Sequence, residues 1–136
     1  MNINISISPA PRSLIRSSQC GDWMILEDGI RVLVFNELSG ESQLAVAIHE
    51  LVEAYLCQRD GVTEQEVCDH DDIFEAERLK GKHDEFSEPG DDPRAPYREQ
   101  HQAATHVERA VLSALGIDWD CHCNSIVHPE PKDEKV

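Results

Sequence analysis

No apolar run in this sequence approaches the ~20 residues that a membrane-spanning helix needs. The opening Met1-Asn-Ile-Asn-Ile-Ser-Ile-Ser8 lacks the basic start and unbroken apolar stretch of an export signal, so a cytoplasmic protein is expected and no membrane partner. Cysteines are present but not as a framework. There are five, Cys20, Cys57, Cys68, Cys121 and Cys123, an odd number at irregular spacing. Without an export signal they read as free thiols or metal ligands, and a disulfide scaffold is not expected. Basic side chains are scarce, 12 against 27 acidic ones, for a formal net charge of -15. Such a surface repels phosphate backbones, which argues against nucleic-acid binding. It suits plain solubility, or recognition of a basic peptide or protein. Internal repeats are also missing, and 136 residues is the usual length of one domain.

What is there begins with short extended segments. Ile3, Ile5 and Ile7 alternate with polar residues, the period of a half-buried strand. Trp23 to Glu27 and Ile30 to Asn36 flank Asp28-Gly29, a hairpin signal in which both turn residues would adopt positive φ. The remainder reads as helix. Ser39 can cap a helix running to about Arg59 and stopped by Gly61. Thr63-Glu-Gln-Glu66 has the form of a capping box and opens a second helix towards Lys80. The polar, proline-containing stretch from Gly81 to Pro96 reads as a loop whose Asp91-Asp92-Pro93 could approach a site. A third helix is expected from about Pro96 to Leu115, ended by Gly116. The pattern predicts an α+β fold, a small antiparallel sheet of N-terminal strand plus hairpin followed by three helices. It forms a single domain over residues 1–127, with 128–136 as a disordered tail.

The chemistry is concentrated on the first helix, in Leu44-Ala-Val-Ala-Ile-His49-Glu50-Leu-Val-Glu53-Ala-Tyr-Leu56. His49 and Glu53 stand one helical turn apart on one face, so both can reach a single ion. Imidazole nitrogen and carboxylate oxygen are both good zinc ligands. Glu50 projects beside such an ion, where it could take a proton from water. Leu44, Ile48, Leu51, Val52 and Tyr55 are expected to form the core stripe of this helix. On the third helix, roughly 100° per residue places His101, Ala104, Glu108, Val111 and Leu115 in one stripe. His101 and Glu108 are thus expected to face inward and His106 to face water. A metal shared with His49 and Glu53 would satisfy those two groups; the alternatives are a salt bridge from Arg109 or Arg78 to Glu108 or a buried hydrogen bond between His101 and a glutamate.

The His49-Glu50-x-x-Glu53 helix behind a small sheet resembles the active-site helix of zincin metallopeptidases, His-Glu-x-x-His, with glutamate at the second ligand position. The resemblance implies zinc, a third ligand further along the chain and Glu50 as general base of a hydrolase of the peptidase type. A second carboxylate also suits another divalent ion such as manganese or iron. The segment from Pro89 to His101 resembles uncharacterised phage and prophage proteins, which would place the chain in a host cytoplasm. On that basis the alternative is a non-catalytic, metal-stabilised acidic protein that binds or inhibits a host partner. Glu50-x-x-Glu53, twelve residues, then Glu66-x-x-Asp69 also resembles the magnesium motif of MazG-type nucleotide pyrophosphatases. Cys121-His122-Cys123 with His128 is a further candidate for a small separate zinc site.

Overall fold

The computed structural model describes residues 3–16 and 19–128. Three strands, β1 (Asn4–Ala10), β2 (Gly21–Leu26) and β3 (Gly29–Phe35), form one sheet in the order β1-β3-β2. Four helices follow: α1 (Gly40–Asp60), α2 (Glu64–Leu79), α3 (Arg98–Leu115) and α4 (Trp119–Val127). The fold is α+β, as the sequence pattern predicts, with two departures. The sheet is mixed rather than antiparallel, because β1 runs parallel to β3 while β2 and β3 form the hairpin. The stretch between β1 and β2 carries a short turn over Arg12–Leu14 and buries Ile15 in the core, so the chain crosses the sheet instead of reversing beside β1.

The hairpin is where it was expected, but its turn residues are Glu27 and Asp28, and Gly29 is already paired with Leu26. Gly29 does not adopt a positive φ. Its lack of a side chain serves a different end: a Cβ there would lie 1.8 Å from the Asn4 carbonyl oxygen, so glycine permits the close approach of β1. The alternating isoleucines of β1 are exposed rather than packed into the core of their own chain. Ile5 is 51% exposed and Ile7 49%.

The helix boundaries follow local chemistry. Ser39 accepts a hydrogen bond from the Ser42 amide, and Gly61 ends α1 at φ 77°, a left-handed position that glycine enters without steric cost. Thr63 and Glu66 form the reciprocal capping box of α2. The fourth helix was not anticipated. Asp118 caps it by accepting from the Cys121 amide, and Trp119, His122 and Ile126 recur at helical spacing along it. The expected disordered tail lies outside the described residues except for His128.

α1 packs against β2, β3 and α3, so it lies at the centre of the molecule. Its buried face is not the expected one. Leu44 and Tyr55 are 47% and 49% exposed, and Ile48, Leu51 and Val52 are only partly buried. The interior side instead carries Ser42, Ala45, Val46, Ala47, His49, Glu50, Glu53, Ala54 and Cys57. Small alanines let α1 approach its neighbours closely, and that closeness brings three ionisable side chains into the interior. Burying a charge costs several kcal/mol unless partners offset it. The partners found around this face define the site.

Candidate metal centre

His49, Glu53 and His101 come together beneath the sheet, each less than a tenth exposed. One turn of α1 sets the first two, and α3, packed across α1, brings in the third. Glu53 Oε2 is the hub, 3.1 Å from His49 Nε2 and 2.8 Å from His101 Nδ1. Its other oxygen accepts a hydrogen bond from the Trp23 indole at 2.9 Å, which ties the hub to β2. One ligand atom from each of the three residues lies within 4.8 Å of the others, a spacing able to hold a metal ion. His101 Nε2 faces outward to Glu88 Oε2 at 2.7 Å and Asp91 Oδ1 at 3.6 Å. The loop that was expected to approach a site therefore does so, through Asp91 and its neighbour Glu88.

On the other side of His49, Glu108 Oε1 lies 2.8 Å from Nδ1. That approach is off the line of an N–H bond, so this buried nitrogen has no aligned hydrogen-bond partner among the described residues. Glu108 Oε2 accepts from His122 Nε2 at 2.6 Å, and His122 Nδ1 lies 2.9 Å from Ser42 Oγ. Glu108 thus sits behind His49, outside the three-residue group. The carboxylate–histidine–metal arrangement is a recurrent way of orienting a ligating imidazole. His122 belongs to this support, which the sequence reading missed. Its neighbours do not join it: Cys121 is exposed and His128 pairs with Glu85.

The electrostatics follow from burial working against pairing. Burial pushes the His49 imidazole down, yet Glu108 and Glu53 carry it well above the usual histidine value. His101 is likewise depressed by burial but raised overall to about 10 by Glu53 and Glu88. Burial would lift Glu53, but hydrogen bonds from His101 and His49 hold it well below the carboxylate range. Glu108, opposed by burial, is brought down to about 2 by His122 and His49. Glu50 behaves differently. Burial and the neighbouring Glu53 charge push it well above the usual range, and no side-chain hydrogen bond offsets this among the described residues.

Glu50 is 7% exposed and helps line a cleft of about 290 Å³ with His49, His101, Glu88, Glu108 and Gly21. Two glycines make room for the site. A Cβ on Gly21 would fall 2.7 Å from Glu50 Cγ, and one on Gly90 would fall 2.2 Å from His101 Cγ. Gly90→Ala is therefore expected to displace the His101 ring and weaken metal binding by about 10- to 100-fold, the range seen when a ligand's support is disturbed. Chelator competition would measure it; an unchanged affinity would remove His101 from the ligand set.

The other sequence candidates do not gather. Glu66 and Asp69 are exposed and bonded to Thr63 and Gln65, away from buried Glu50 and Glu53. A group that the sequence does not point to, Glu77, His83 and Asp92, does lie together, but the Arg94 guanidinium bridges Glu77 and Asp92 and supplies the cation. His106 is exposed, as expected from its side of α3. Among the described residues no helix is long and apolar enough to cross a membrane. Comparison with known protein families, characterised proteins and solved structures finds no match to this chain.

Proposed function

We propose that the protein is a zincin-like metal-dependent hydrolase of the peptidase type. The observation that carries this reading is Glu50, a buried carboxylate without a hydrogen-bond partner among the described residues, facing a cleft beside His49, Glu53 and His101. A carboxylate kept in that state costs stability, and active sites are where such costs concentrate. The three candidate ligands fit a divalent ion such as zinc, since two imidazoles and one carboxylate converge.

A divalent ion held there would supply Lewis acidity, polarising a scissile carbonyl and acidifying water. The chain's own residues do the rest. Glu50 receives the proton of the attacking water on its carboxylate and hands it to the leaving amine. Burial and the neighbouring Glu53 charge raise its proton affinity, which favours uptake of a proton from water. Glu108, backed by His122, holds the His49 ring with Nε2 directed at Glu53. With Glu108 outside the group, His49, Glu53 and His101 would hold such an ion by three protein ligands, the number that catalytic zinc sites use. Glu75, Glu85 and Glu88 line the cleft together with Arg12 and Arg78, and it is the net charge of -15 that favours a basic peptide.

The test is elemental analysis of the chain purified without a His-tag, beside its His49→Ala variant. About one zinc or other divalent ion per chain, lost in the variant, is expected. A chain that takes up no zinc, manganese, iron or magnesium would remove the hydrolase reading.

A further inference from the structure

The two edges of the sheet are treated differently by the chain. In β2, the Ile25 amide donates to Glu64 Oε1 and the Trp23 carbonyl accepts from the Arg16 guanidinium. Arg16 is itself locked by Asp22 and Glu64. That edge is closed to a further strand by charged side chains, one of the usual defences of an exposed edge. The edge of β1 has no such cover among the described residues. The Asn4 amide donates to the Asp28 carbonyl and the Ala10 carbonyl accepts from the Asn36 amide. Even-numbered residues of β1 therefore spend their backbone groups on β3, and Ile3, Ile5, Ile7 and Pro9 turn theirs outward. Pro9 falls on the outer side, where its missing N–H breaks no bond within the sheet.

The side chains and charges of β1 agree with its open edge. Ile5 is in register with Ile30 and Ile7 with Val32, both buried, so the β1 isoleucines extend the core face of the sheet past the helix that covers it. Ile3 and the half-exposed Tyr55 of α1 line a groove at the same end. From Met1 to Pro11 there is no charged side chain, in a sequence that is 29% charged. Two copies each carrying -15 repel overall, and this strip is a place where they can meet without setting like-charged side chains against each other.

We propose that β1 pairs with β1 of a second copy, antiparallel about a two-fold axis through Ser6, making a continuous six-stranded sheet. This register sets Ile5 opposite Ile7 of the partner copy and lets those outward-facing amides and carbonyls bond reciprocally. It leaves the proline at the end of the ladder. A seven-residue strand offers little area beside the ~1,600 Å² of a standard interface, so micromolar association is expected.

Sedimentation of the full, untagged chain tests this across the micromolar range. The expected result is a monomer–dimer equilibrium that tightens several-fold as salt rises from about 0.1 to 1 M, because shortening the Debye length from roughly 10 to 3 Å screens the mutual repulsion. Ile7→Lys should abolish the dimer and Leu79→Lys, on an exposed part of α2, should leave it intact. In the proposed register Ser6 faces Ser6 as a non-hydrogen-bonded pair, with Cα atoms ~4.5 Å apart and within reach of a disulfide. Ser6→Cys should then give an interchain cross-link mapped to position 6, and Ser8→Cys should not. A chain monomeric throughout, a dimer that survives Ile7→Lys, or one that dissolves in salt would overturn the proposal, the first by leaving this edge to some other protein. None of these outcomes bears on the metal centre, whose residues lie on α1 and α3.

Discussion

Glu50→Gln is expected to lower hydrolysis by about 10²–10⁴-fold, the usual contribution of a positioned base, with metal content unchanged. Glutamine keeps the shape of glutamate but cannot take a proton from water. No hydrogen bond is lost in the exchange, since the Glu50 carboxylate makes none with the described residues. The same isolation predicts that stability does not fall. Burial already pushes the Glu50 proton affinity up, so a neutral side chain removes an ionisable group that the interior disfavours. The combined signature is activity lost, metal retained and melting temperature equal or higher. Loss of metal together with activity would make Glu50 a ligand, and retained activity would end its role as base. A variant that merely disturbed packing would lower the melting temperature, and so is distinguishable from both.

The parts of this fold that local chemistry specifies were legible beforehand. Ser39, Gly61, the Thr63–Glu66 box and Gly116 mark helix ends by satisfying particular amides or allowing particular dihedrals, and each does so in the structure. The inward orientation of the candidate site residues was legible for a related reason. Spacing of four on one helix and a shared stripe on another fix which side chains can meet, and His49, Glu53, His101 and Glu108 all face inward. What was not legible depends on long-range packing. Whether β1 lies beside β2 or β3 is a matter of strand pairing between distant segments, which periodicity does not encode.

The face of α1 was misread because burial was assigned by hydrophobicity. Leucine and tyrosine at Leu44 and Tyr55 stay half outside while His49, Glu50 and Glu53 go in, an inversion that local propensity disfavours. Such an inversion is costly unless partners or a ligand offset it, and here the partners come from β2, α3 and α4. His122 was overlooked because it was read with its neighbouring cysteines. The Asp118 cap and the spacing of Trp119, His122 and Ile126 were the available signal that it lies on a helix.

Metal binding at pH 7 is expected to release about two protons per ion, one from each histidine. In the metal-free chain the sites between Glu53 and its two imidazoles are filled by protons. His101 is raised to about 10 and so carries a charge at neutral pH, and Glu108 and Glu53 shift His49 in the same direction. A ligating imidazole must be neutral, and the ion therefore competes with those protons wherever pH lies below the raised values. Each displaced proton makes the apparent affinity climb by about 10-fold per pH unit at neutral pH. Stability of the metal-free chain should run the opposite way. A histidine whose folded pKa lies above its unfolded value, here about 10 against 6.5, contributes stability that is complete below 6.5 and lost as pH rises through about 10. Melting curves in chelator should then fall with rising pH, while those at fixed zinc rise. Calorimetric titration in buffers of different ionisation enthalpy counts the protons directly. A count near zero at pH 7 would mean that the histidines are neutral before the ion arrives, and that Glu53 and Glu108 do not hold them charged as the geometry implies.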